Sequence, residues 1–143
     1  MALDDYKQDF SLSYSQFIMK NNVDSSQIDE NVRYEKLINV TRVNLPHSQY
    51  FYFKDGKLQI IYLSDDKMVK KLWSEFKSTS GASTAEKTVR SRAGKTSNQL
   101  IFATLGITVS ITQDDVHFIE MYPPCSLEYY IEHIYQEPGP FIR

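Results

Sequence analysis

The chain has 143 residues, 41% of them hydrophobic and 24% charged, with a formal net charge of −2. That length sits in the usual single-domain range, so residues 1–143 are expected to share one core, and the apolar content suffices to bury roughly two thirds of the unfolded surface, which excludes wholesale disorder. The mild acidity excludes a global cationic field for nucleic acid or anionic lipid, and a single cysteine, Cys125, excludes an internal disulfide and every multi-cysteine zinc or iron–sulfur site.

The first twenty residues carry Asp4, Asp5 and Asp9 and no apolar run of signal-peptide length, and no stretch of 18 apolar residues occurs. A cytoplasmic protein with no membrane partner is expected. Asp9 to Ile18 alternates weakly through Phe10, Leu12 and Tyr14, Asn21 to Val32 is ambiguous, with Ser25-Ser26 suited to cap a short helix containing Ile28 and Val32, and 36–43 reads as a strand ending before Pro46. Residues 49–63 are two β-rich runs joined by Asp55-Gly56, a pair favoured where both central residues of a tight turn need positive φ. Ser64 then reads as an N-cap, with Asp65 and Asp66 in the first turn and Met68, Val69, Leu72, Trp73 and Phe76 at helical spacing, predicting a helix over 65–77.

Residues 78–98 are basic and rich in Ser, Thr, Ala and Gly; the segment is expected to be flexible, most of all over 78–85, with 87–92 its only β-like piece. The run 99–107 is apolar on both faces except at Thr104, which predicts a central strand, with Gly106 marking a bulge or a close packing contact. A second hairpin follows in 105–111 and 116–122, and Ser126 caps a predicted helix over 126–136 bearing Leu127, Tyr130, Ile131, Ile134 and Tyr135, stopped by Pro138-Gly139-Pro140. Both halves thus read hairpin, cap, helix, with extra residues including Pro123 and Pro124 in the second. Strands outnumber helices and short turns join them, so the expected class is α+β: a mostly antiparallel sheet with two or three helices packed on one face, the opposite face being solvated or free to meet a partner.

Catalytic signals are few. Gly94-Lys95-Thr96 resembles the tail of a phosphate-binding loop, but Val89 stands where that loop needs its first glycine. His47, His117 and His133 have no ligand spacing that defines a metal site, and the pairs Asp65-Asp66 and Asp114-Asp115 suit a helix N-terminus and a hairpin turn. No catalytic, cofactor-binding or metal-binding residue is assigned. Cys125 at a helix start, with His133, is the least improbable reactive pair and defines a competing reading as a small-ligand or enzymatic domain.

Charge layout is more informative. From Lys77 to Lys95 five cations (Lys77, Lys87, Arg90, Arg92, Lys95) face one acid, Glu86, whereas Thr96 to Ile142 holds six acids and neither Lys nor Arg. The expectation is an acidic, tyrosine-bearing surface that receives a basic protein, built from Asp114, Asp115, Glu120, Tyr122, Glu128, Tyr129 and Glu132, with Tyr130 and Tyr135 as further anchors. A third reading, a nucleic-acid accessory protein, has Arg90, Arg92 and Lys95 on phosphates and Tyr50 and Tyr52 stacking on bases; the overall acidity opposes it.

The succession of hairpin, capped helix and variable polar stretch, then Leu105-Gly106-Ile107 with Val109, and Val116 leading to Ile119-Glu120 and Tyr122-Pro123, is similar over about residues 50 to 137 to small bacterial α+β proteins found near toxin genes. Some of these resemble the immunity proteins of contact-dependent growth inhibition and related polymorphic toxin systems, a toxin–antitoxin arrangement. The repeated hairpin-helix unit also resembles the tandem folds of β-lactamase-inhibitor-like proteins. The resemblance implies an intracellular, non-enzymatic protein that binds a cognate toxin domain, often a basic nuclease, and blocks its active site. No functional position is carried over from it.

Overall fold

The computed structural model of the chain describes residues 2–80 and 84–139. Among these residues eight strands form one antiparallel sheet: β1 (Ile28–Tyr34), β2 (Leu37–Leu45), β3 (Gln49–Lys54), β4 (Lys57–Leu63), β5 (Lys87–Arg90), β6 (Asn98–Phe102), β7 (Ile107–Thr112) and β8 (Asp115–Met121). Their order is β1-β2-β3-β4-β8-β7-β6-β5, so two four-stranded meanders meet at the centre through Ile61↔Met121, Tyr62↔Glu120 and Leu63↔Ile119. The expected α+β architecture and the repeat of hairpins are present, and the Asp55-Gly56 turn has φ of 52° and 79°, the left-handed values for which that pair was read.

Helices α1 (Leu3–Asp9), α2 (Tyr14–Lys20) and α3 (Asp66–Thr79) lie on one face. Val69, Leu72 and Phe76 of α3 are buried against Ile61, Leu63, Ile119 and Met121, with Tyr6 and Phe17 of the first two helices closing over Phe51 and Phe53. Each such side chain contributes roughly 2 kcal/mol by leaving water. The weak alternation read over residues 9–18 is overruled by capping: Ser13 Oγ accepts from the Gln16 N–H at 3.1 Å while Gln16 Oε1 accepts from the Ser13 N–H at 2.8 Å, a reciprocal pair that starts α2. For α3 the N-cap is Asp65, whose carboxylate accepts from the Met68 N–H at 3.0 Å, one residue after the expected Ser64.

The fourth helix corrects the picture of a free second face. α4 (Leu127–His133) starts at the expected Ser126 cap but packs, with Ile134 and Tyr135, on the opposite face against Tyr34, Val40, Tyr52, Ile60, Ile101 and Tyr122. Connector length explains the switch. Two residues link β4 to α3 and turn the chain straight back over the near face, whereas the five residues from Tyr122 to Ser126, with Pro123 and Pro124, carry the chain to the far side. The helix also stops earlier than expected, at His133.

The run 99–107 is two strands, not one. It breaks at a 3-10 turn over Ala103–Leu105, and Gly106 (φ 70°) reverses into β7, so β6 is second from the edge and the central strands are β4 and β8. Gly106 does mark a close contact: a Cβ there would collide with the Tyr122 carbonyl oxygen. The segment 78–98 contains β5 and a turn that seats Arg92 on the sheet; the expected mobility of 78–85 falls partly on 81–83, outside the described residues.

The sheet is strongly curled. Seven inter-strand spacings of about 4.8 Å separate the edges of a flat eight-stranded sheet by about 34 Å. Here Arg92, just past the β5 edge, reaches Tyr34 and Glu35 at the end of the β1 edge. The face that holds α4 is therefore concave.

Candidate functional site

The seven residues expected to form one acidic surface fall into three places. Asp114 and Asp115 are exposed at the β7–β8 turn, about 20 Å along β8 from its other end. Glu128, Tyr129 and Glu132 are exposed together on the outer side of α4, where Tyr129 keeps 50% of its surface. Glu120 and Tyr122 are corrections: both are buried, Glu120 completely. Phe118 and Glu120 of β8 and Tyr122 just past its end alternate onto the concave face, and α4 and Arg92 cover that face, so neither Glu120 nor Tyr122 reaches an exterior partner. Tyr130 and Tyr135, expected as outer anchors, are buried by the same packing.

Glu120 is the centre of a buried polar cluster. Its two oxygens accept hydrogen bonds from the Tyr34 and Tyr130 hydroxyls. The Arg92 guanidinium donates to the Tyr34 hydroxyl at 2.7 Å, pairs with Glu35 at 2.5 Å and lies 4.0 Å from Glu120. It also stacks over Phe118, Tyr34 and Tyr62, with ring centroids at 4.4, 5.1 and 5.3 Å, distances at which the negative ring faces attract a cation. Burial alone lowers the Arg92 pKa, but the Tyr34 hydroxyl and the Glu120 and Glu35 carboxylates outweigh it and push it upward, so the cation is fixed. Burial raises the Glu35 carboxyl above the usual range although Arg92 opposes the shift. The Tyr34 and Tyr130 phenols are held well above theirs, by burial first and by the Glu120 charge second.

Above the cluster opens a cleft of about 240 Å³ lined by Arg33, Tyr34, Glu35, Tyr52, Tyr62 and Arg92. It presents three phenols, the Arg92–Glu35 ion pair and a second guanidinium, Arg33. Both oxygens of Glu120 are occupied by the tyrosine hydroxyls, so its role is to anchor Tyr34 from β1, Tyr130 from α4 and Arg92 from the β5–β6 connection. One sequence signal for it existed. Glu120 shares the strand parity of Phe118 and Tyr122, which places a carboxylate on a face otherwise built to be buried. Arg92, Tyr34 and Glu35 had no such signal, because their meeting depends on the curl of the sheet.

The rival sites separate as well. Cys125 precedes the cap of α4, its N–H donates to the Ala103 carbonyl at 3.0 Å, and burial together with the Glu86 and Glu120 charges raises its thiol pKa. That is opposite to the activation a nucleophile needs. His133 lies eight residues on, about 12 Å at helical rise, with its ring 4.3 Å from that of Tyr129. Of the cations in the nucleic-acid reading, Arg92 is committed to the cluster and Arg90 donates to the Pro138 and Gly139 carbonyls at 3.2 and 3.1 Å. Among the described residues no group of three His, Cys, Asp or Glu side chains is placed to hold a metal, and no helix is long and apolar enough to cross a membrane. Compared with protein-family models, with curated proteins and with solved structures, the chain matches none.

Proposed function

We propose that the chain is a non-enzymatic protein-binding module that neutralises a cationic toxin domain inside the cell, in the manner of an immunity protein. The observation that carries this reading is the outer side of α4, where half-exposed Tyr129 stands between exposed Glu128 and Glu132 on a segment that has no Lys or Arg from Thr96 to Gly139. Tyrosine supplies contact area and a hydroxyll-bearing tip at low entropic cost, and the flanking carboxylates steer a basic partner and speed its encounter. Asp114 and Asp115 form a separate acidic point and are assigned to long-range steering only. The Glu120 cluster serves this function indirectly, by fixing α4 through Tyr130.

The test is co-expression with the protein encoded by the adjacent upstream reading frame, read as growth. Rescue by the wild-type chain, reduced in the Glu128→Lys/Glu132→Lys variant together with a slower, less salt-sensitive association, supports the proposal. Absence of rescue by the wild-type chain, or a double variant that rescues and associates as well as wild type, overturns it.

A further inference from the structure

Among the described residues only four large hydrophobic side chains are exposed, and two of them, Ile38 at 52% and Tyr129 at 50%, line the same groove. It runs between α4 and the tips of the β1–β2 and β3–β4 hairpins, encloses about 450 Å³, and carries Lys36, Lys54 and Lys57 against a single acid, Asp55. Lys54 and Lys57 make no ion pair among the described residues, while Lys36 is held at the groove by donating from Nζ to the Ile131 carbonyl at 2.8 Å. The groove continues into a more apolar pocket of about 250 Å³ through Leu37, Gln59 and Tyr129, which line both; the pocket is completed by Pro123, Pro124, Cys125 and Ile134.

Exposed aliphatic and aromatic surface beside unpaired cations is the reverse of the chemistry on the outer side of α4. Two hairpin tips supply the cations and Ile38, and α4 supplies Tyr129, which this groove shares with that outer side; neither tip needs these side chains for its turn, where the left-handed residues are Glu35 and Asp55 together with Gly56. We infer that this groove is a second docking surface, for an acidic protein segment that presents a large apolar side chain. The apolar side chain enters the pocket against Pro123, Pro124 and Ile134, Ile38 and Tyr129 cover the segment, and its carboxylates meet Lys54 and Lys57, with Lys36 closing one end. Hydrophobic burial provides the affinity and the lysines set the sign and register of the partner.

The experiment titrates ¹⁵N-labelled protein with a short synthetic peptide alternating glutamate and leucine, and with two controls that carry lysine for glutamate or serine for leucine. The expected result is amide shifts confined to residues 36–38, 54–59 and 123–134 for the glutamate-leucine peptide. Each control, the Lys54→Glu/Lys57→Glu variant and the Ile38→Asp variant should bind about tenfold more weakly. These side chains are exposed or half-buried at the surface, so the variants keep the fold, which unchanged circular dichroism verifies. Glu128→Lys/Glu132→Lys should bind this peptide as well as or better than wild type, which separates the groove from the surface assigned above. No shifts at millimolar peptide, shifts centred elsewhere, equal binding of the lysine peptide, or charge reversal without effect overturns the inference.

Discussion

Arg92→Met tests the curled sheet most directly. The guanidinium lies 2.5 Å from Glu35, 2.7 Å from the Tyr34 hydroxyl and 4.0 Å from the fully buried Glu120. Removing one partner of a buried charge pair costs about 3–5 kcal/mol, because the remaining charge has no compensation, and a charge-assisted hydrogen bond contributes about 1.5–3 kcal/mol of the same total. Arg92 keeps 28% of its side chain exposed, so water screens part of the loss and the expected cost is about 3 kcal/mol. At roughly 2.1 cal/mol/K of unfolding entropy per residue, 143 residues give about 0.3 kcal/mol/K, so the Tm falls by about 10 °C. The assay is urea unfolding with calorimetry, in wild type and in a Glu120→Gln background. With no carboxylate at position 120 the same substitution still strands Glu35, so it should cost about 2 kcal/mol, leaving a coupling of about 1 kcal/mol between Arg92 and Glu120. Equal cost in both backgrounds refutes compensation between Arg92 and Glu120, and a cost below about 0.5 kcal/mol in wild type refutes a cluster held together by charge at all.

Further expectations follow from single groups. Gln99 is buried and neither its amide nitrogen nor its oxygen has a hydrogen-bond partner among the described residues, so Gln99→Met should stabilise by about 1–2 kcal/mol in urea unfolding; a loss of that size would reveal a partner the amide needs. Glu35, raised in the fold mainly by burial, holds protons that the unfolded chain has lost, so its contribution is fully present below the unfolded carboxylate pKa and declines as pH rises through the higher folded value. Relative to Glu35→Gln, wild type should therefore lose stability between pH 4 and pH 7, and a relative gain over that window contradicts the shift. Cys125, its thiol pushed up by burial, should react with a disulfide reagent at pH 7.5 more slowly than the urea-unfolded chain; faster reaction would reopen the nucleophile reading.

What the sequence makes legible here is local. Asp55-Gly56 and the Ser126 cap declare themselves through backbone chemistry that operates within a few residues, and α3 through one apolar stripe. The 3-10 break after Phe102 is hidden because Ala103, Thr104 and Leu105 satisfy a strand pattern, and only the approach of Gly106 to the Tyr122 carbonyl forces the turn. The side of the sheet taken by α4 is set by a five-residue connector and not by the helix, whose own stripe is compatible with either face. Acidic charge from Thr96 onward is visible as composition, but burial of one of its members depends on residues that precede it by up to 86 positions.

The cluster also explains how the fold keeps two meanders as one unit. Its edge strands are poor templates for further pairing: β1 has register shifts around Asn31, which is left-handed at φ 55°, and β5 spans four residues with Lys87 and Arg90 at its ends. Bulges and edge lysines discourage another strand from adding there. With both edges closed to pairing, the concave face must be held by side chains, and Arg92 and Glu120 supply the join: one guanidinium from the second meander caps the end of β1 in the first, and one carboxylate on a central strand receives tyrosines from β1 and α4. Apolar packing alone would permit α4 to slide along a smooth tyrosine-lined surface. The directed hydrogen bond from Tyr130 to Glu120, whose other oxygen is held by Tyr34 of β1, fixes its depth and rotation, and with them the outward aim of Glu128, Tyr129 and Glu132.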